Sequence, residues 1–77
     1  MKYRTAKEIG ESVRKMREYK GYSQCDVAKI LCKTPSLIIR YEKGTKFFPL
    51  ETIVILCEEF GVSPDQILGY ESFPKRK

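Results

Sequence analysis

Apolar residues recur at three- and four-residue intervals along almost the whole chain. Ala6, Ile9, Val13 and Met16 fall on one face of a helix predicted from Thr5 to about Tyr19, while Glu11, Arg14, Lys15 and Glu18 fall on the other. Thr5 with Glu8 forms a capping box at its start, and Gly10 is a mid-helix weak spot costing about 1 kcal/mol relative to Ala. Two further start signals follow, about eleven residues apart. Ser23 is followed three residues later by Asp26, and Thr34 by Pro35, whose missing N–H costs nothing at a first helical position. They predict a second helix to about Leu31 and a third to about Glu42, with Gly44 free to take the left-handed turn that stops it. A fourth helix is expected from Pro49 or Leu50 to Phe60, burying Leu50, Ile53, Val54, Cys57 and Phe60, with Gly61 as its stop. Ser63-Pro64-Asp65-Gln66 opens a fifth. No stretch reads as a strand, a repeat or a low-complexity segment, so the class is all-α.

The second and third helices, joined by a four- or five-residue turn, have the layout of a helix-turn-helix, whose second helix commonly enters the DNA major groove. Gly21-Tyr22-Ser23-Gln24, Val27-Ala28, Ile38 and Arg40-Tyr41-Glu42-Lys43-Gly44 occur in that order, followed by Pro49-Leu50-Glu51-Thr52-Ile53, Leu56-Cys57 and Phe60-Gly61-Val62-Ser63-Pro64-Asp65. This series resembles the DNA-binding domain of the Cro and cI phage repressors and the wider Xre group, from about Ile9 to Gly69. The resemblance implies a five-helix lambda-repressor-like domain spanning 1–77, with a core of about 5–69 and a tail of 70–77. Two residues depart from the pattern. Cys32 stands where the turn glycine is usual, so either it reaches positive φ at some steric cost or the turn differs slightly, and Lys33 stands where a small apolar residue usually packs, so its stem would have to snorkel.

On the third helix, Ser36, Ile39, Arg40 and Lys43 share one stripe with Pro35 at its edge, opposite Leu37, Ile38 and Tyr41. Nine residues make roughly 13 Å of helix, comparable to the ~12 Å width of the major groove. Pro35, Ser36, Ile39 and Arg40 are therefore candidate base contacts: Arg40 for a guanine edge, Ser36 for several bases, Ile39 for a thymine methyl. The alternative makes Ile39 an ordinary surface residue and Arg40 a phosphate contact. Gln24, at the start of the second helix, is suited to bond a phosphate, as the resemblance also implies; Lys43, Thr45 and Lys46 are candidates for the same strand. Tyr22 either offers its hydroxyl to a phosphate or packs. Lys2 and Arg4 form either a basic arm or a frayed terminus. The resemblance further implies an ion pair between Arg17 and Glu42, and Glu42 lies beside Ile38 on the inward side of the wheel.

Composition narrows the classes. Residues 1–46 hold twelve Lys/Arg and five Asp/Glu, a net of +7, whereas 47–74 hold five acids and no base. The basic part coincides with the helix-turn-helix, where a polyanion would dock. The chain has no His, and Cys25, Cys32 and Cys57 lack metal-ligand spacing, so no metal or other cofactor is expected. The cysteines read as thiols, Cys57 as a small core residue. No apolar run approaches ~18 residues and no signal peptide is visible, which points to the cytoplasm and away from a membrane. No nucleophile–base pairing or phosphate loop suggests an enzyme. The expected function is a sequence-specific regulator of transcription, most simply a dimeric repressor on palindromic double-stranded DNA. Phe47, Phe48, Tyr70 and Phe73 are the candidate dimer surface, with core closure as their alternative. Phage repressor, antitoxin with a toxin partner and restriction–modification controller all remain open. The rival class is a protein-interaction module, antirepressor-like, that keeps the fold without binding DNA.

Overall fold

The computed structural model describes residues 4–70, and a side-chain cap opens four of its five helices. These are α1 (Ala6–Tyr19), α2 (Gln24–Leu31), α3 (Pro35–Lys43), α4 (Leu50–Phe60) and α5 (Pro64–Leu68). No strand occurs among the described residues. In α1 the Thr5 hydroxyl accepts the Glu8 N–H at 3.1 Å and the Glu8 carboxylate accepts the Thr5 N–H at 2.9 Å. Ser23 with Asp26 repeats the exchange at α2 (3.0 and 2.9 Å), and Ser63 with Gln66 at α5 (3.2 and 3.1 Å). The Ser23 N–H, followed by its hydroxyl, holds the Asp26 carboxyl below its ordinary pKa. Thr34 caps α3 alone, with Pro35 behind it. Each pairing satisfies backbone donors that the first helical turn leaves free.

The turn between α2 and α3 runs through Cys32 at φ 57°, ψ 42°, the left-handed conformation that favours glycine. That choice costs about 1–2 kcal/mol. The turn keeps its geometry nonetheless, because Lys33 N–H still reaches the Ala28 carbonyl at 2.8 Å. Lys33 itself lies exposed.

The core is built from Val13 and Met16 of α1, Val27, Ala28 and Leu31 of α2, Ile38 and Tyr41 of α3, Ile53, Leu56, Cys57 and Phe60 of α4, and Ile67 of α5, with Phe48 from the linker. α3 is held against both α1 and α2, while α4 packs on α2 and α5. Burial of the Cys57 thiol pushes its pKa up.

One expected face is displaced. Leu50 and Val54 of α4 point outward at 79% and 50% exposure, whereas Leu56 is fully buried and Thr52 is 1% exposed. The buried stripe follows Ile53, Leu56 and Phe60 at three- and four-residue steps. Thr52 can join it because its hydroxyl donates to the Pro49 carbonyl at 2.6 Å and enters the core satisfied. No described helix is long and apolar enough to cross a membrane.

Gly10 has a tertiary role. A Cβ there would lie 2.4 Å from the Tyr41 carbonyl oxygen and 2.5 Å from that of Glu42. At Gly44, φ +86°, it would lie 2.4 Å from the Lys7 Cα. The end of α3 therefore lies directly on the α1 backbone, at two contacts that only glycine permits.

Candidate nucleic-acid interface

That close crossing is reinforced by a buried polar cluster. Arg17 Nε donates to Glu42 Oε2 at 2.7 Å and its Nη2 to Oε1 at 3.2 Å, a two-point pairing. The side chains are 9% and 3% exposed. Arg17 Nη1 donates to the Tyr22 carbonyl at 2.8 Å, and Gln24 Nε2 donates to Glu42 Oε1 at 3.0 Å. The carboxylate at the end of α3 thus holds Arg17 of α1 and the first residue of α2, and Arg17 in turn holds the turn before α2. No buried side-chain polar atom among the described residues lacks a partner. The orientation of α3 is fixed by fully satisfied groups in a low-dielectric setting, where loosening any one is costly.

Held in this way, α3 turns Ile38, Tyr41 and Glu42 inward and leaves Pro35, Ser36, Ile39, Arg40 and Lys43 outward. Arg40 and Lys43 are exposed on one side of the helix, with Ile39, 37% exposed, beside them. An open cleft of about 360 Å³ runs beside this stripe, lined by Ile39 and Lys43 of α3, Gln24 of α2, and Lys7, Glu11 and Arg14 of α1, with Glu42 at its floor. Lys7 and Arg14 had no signal in the sequence beyond an exposed helix face; only the crossing of α1 over α3 brings them beside Lys43. Arg14 rests 3.5 Å from Glu18, an exposed i,i+4 pair that holds it weakly.

Other sequence candidates are engaged elsewhere. The Tyr22 hydroxyl donates to Glu59 Oε2 at 3.1 Å, its ring lies against Phe60 with centroids 5.1 Å apart, and that carboxylate raises the phenol pKa. An approaching phosphate would meet the Glu59 charge, so Tyr22 follows its packing alternative. The Thr45 hydroxyl and N–H both bond the Arg40 carbonyl at 3.1 Å, so Thr45 first closes the end of α3. Arg4 is not a loose arm: it donates to the Gly69 carbonyl and lies over the Tyr70 ring, 5.2 Å from its centroid. Phe48 is a core residue, 7% exposed with its ring centroid 4.7 Å from that of Tyr41, and is withdrawn from the dimer surface. Phe47 and Tyr70 are exposed at 62% and 50%. Lys2 and Phe73 lie outside the described residues. Among the described residues, no group of three or more His, Cys, Asp or Glu is arranged to hold a metal ion.

Two short helices set by a tight turn, the second outward-facing and braced from behind, define the helix-turn-helix class. The chain belongs to the helix-turn-helix domain family, which matches residues 10–70. It is 33% identical over 61 residues to the antitoxin PezA of Streptococcus pneumoniae; the aligned part is 79% of this chain and 39% of that protein, so the chain spans well under half of this relative. In structure it is similar to the restriction-modification controller protein C.AhdI from Aeromonas hydrophila (TM-score 0.72, 24% identity, 80% of this chain and 94% of that one). It is also similar to the clp gene regulator ClgR from Corynebacterium glutamicum (TM-score 0.76, 21% identity, 94% and 99%). At these identities the structural likeness shows the fold.

Proposed function

We propose that the chain is a cytoplasmic, sequence-specific DNA-binding regulator of transcription, a binding protein rather than an enzyme. In this reading residues 1–77 act as one unit that presents α3 to the major groove and represses by occluding a palindromic promoter site as a homodimer. The observation that carries it is the outward stripe Ser36, Ile39, Arg40 and Lys43 on a helix whose tilt is set by the buried Arg17–Glu42–Gln24 cluster. A helix that only packed would not need so rigid a support behind an exposed face. Arg40 and Ser36 read base edges, Ile39 and Pro35 meet apolar edges, and Lys43 and Lys46 hold phosphates. The Gln24 amide has a second N–H for a phosphate while Glu42 takes the first. Lys7 and Arg14, across the cleft from Lys43, extend the phosphate track onto α1. Thr45 joins it on releasing the Arg40 carbonyl.

The similarity to an antitoxin favours one second reading, in which the same fold chiefly engages a protein partner. Salt dependence separates the two. If Gln24, Lys43, Lys46 and neighbouring groups of two protomers neutralise about six to ten phosphates, log K for duplex DNA falls with log salt at a slope of roughly −5 to −9. Fluorescence anisotropy titrations from low to moderate salt measure it. A slope near zero, or no duplex bound at low salt, would favour the protein-interaction reading.

A further inference from the structure

The cleft beside α3 holds one charge of the wrong sign for a polyanion. Lys7, Glu11, Arg14 and Glu18 fall four, three and four residues apart on α1, so they share one exposed stripe that alternates basic and acidic. The first three line the cleft with Gln24, Ile39 and Lys43. Glu42, at its floor, is engaged by Arg17 and Gln24. Glu18 lies 3.5 Å from Arg14 and 3.8 Å from Arg17. Glu11 differs: among the described residues no Lys or Arg nitrogen comes within 4.0 Å of its carboxylate.

An exposed glutamate one turn from lysines is ordinarily half of a solvated i,i+4 pair, here with Lys7 or Lys15. Neither pair is closed in this structure. Glu11 also follows Gly10 directly, whose backbone lies against the Tyr41 and Glu42 carbonyls of α3, so the helix crossing fixes where its side chain starts. A duplex backbone that meets both Lys7 and Arg14 must pass Glu11, because side chains three and four residues apart on a helix start only about 5–6 Å from each other. That is inside the Debye length of about 10 Å at 0.1 M salt, so the phosphates feel the carboxylate. They carry the same charge at every base step, which makes the repulsion independent of sequence.

We propose that Glu11 limits the affinity of the α1–α3 face for duplex DNA of any sequence. The inference rests on the DNA-binding reading above and names a residue that opposes the phosphate track within it. Lys7, Arg14 and Lys43 draw the backbone in without regard to the bases. Glu11 offsets part of that attraction, so Arg40 and Ser36 supply a larger share of the binding on the preferred site. The opposing charge also makes binding less steeply dependent on salt, because fewer counterions are released on balance.

Anisotropy titrations of the full chain on a preferred-site duplex and on an unrelated duplex, each over a salt series, test this. Glu11→Gln removes the charge and keeps the size of the side chain; the side chain is already in water, so the helical circular dichroism should not change. The variant is expected to bind both duplexes about three- to tenfold more tightly at low salt, with their ratio preserved. Its slope of log K against log salt should steepen by about one for each protomer. Glu58→Gln makes the same charge change on α4, outside the cleft, and is expected to shift either Kd by less than about twofold. No gain with Glu11→Gln, a gain confined to one duplex, or an equal gain with Glu58→Gln would overturn the proposal; the last would reduce the effect to net charge. The DNA reading fails separately. A wild type that binds duplex while Glu11→Gln gains nothing keeps the regulator and loses this role, whereas a wild type and a Glu11→Gln variant that both bind no duplex at low salt lose the two together.

Discussion

Glu42→Ala is expected to destabilise the fold by on the order of 3 kcal/mol. The substitution removes the carboxylate that takes two hydrogen bonds from Arg17 and one from Gln24. Arg17, 8% exposed, is left with the Tyr22 carbonyl and a 3.8 Å approach to Glu18, itself half exposed. The cost therefore arises chiefly from a guanidinium stranded out of water, and much less from the lost attraction. Arg17→Ala strands the carboxylate in the same way, so the double variant should cost clearly less than the two single losses added together. Denaturant melts of the three variants measure it. Losses under about 1 kcal/mol that simply add would show that solvent reaches the pair and that it does not fix α3.

The second large effect is at Gly10, where two rules oppose each other. Helix propensity favours Gly10→Ala by about 1 kcal/mol. The tertiary contact opposes it, since the new methyl would lie 2.4 and 2.5 Å from two carbonyl oxygens of α3. These are backbone atoms and cannot rotate away, so α3 must shift as a body, with a typical overpacking cost of about 1–3 kcal/mol. That shift also disturbs the Arg17–Glu42 pairing. A net loss of about 2 kcal/mol is expected, with weaker DNA binding by the residual folded protein. Thermal and denaturant melts report the first and anisotropy the second. A variant as stable as wild type or more so would mean that α1 and α3 are not in backbone contact.

What the sequence made legible was local. Thr5–Glu8, Ser23–Asp26 and Ser63–Gln66 sit three residues apart, and a capping box needs only that spacing, so the helix starts could be read from residue types. The two sides of α3 were legible for the same reason, because Leu37, Ile38 and Tyr41 contrast with Ser36, Arg40 and Lys43. Contacts between elements were not. Gly10 looked like a weak spot because its reason, the α3 carbonyls, comes from residues more than thirty positions away. On α4 nearly every residue from Leu50 to Cys57 is apolar or small, so the wheel offers little contrast between the buried Leu56 and the exposed Leu50 and Val54. Phe47 and Phe48 lie between helices, where no period says which turns inward. Lys7 and Arg14 became site candidates only when the crossing of α1 over α3 placed them on the cleft.

The central claim is that α3 reads bases through Arg40 while Lys43, one turn along the same stripe, holds the backbone. Competition binding of Arg40→Ala and Lys43→Ala, against a library of single-base changes in a site selected from random duplex DNA, tests it most directly. The account predicts that Arg40→Ala loses about 1–3 kcal/mol on the preferred site and little on unrelated DNA, relaxing preference at one base pair in each half-site. It predicts that Lys43→Ala weakens every sequence alike and reduces the salt slope by about one for each protomer. An Arg40→Ala variant that loses affinity equally for all sequences would contradict it: Arg40 would then be a phosphate contact, and specificity would have to come from Ser36, Ile39 or the shape of the DNA.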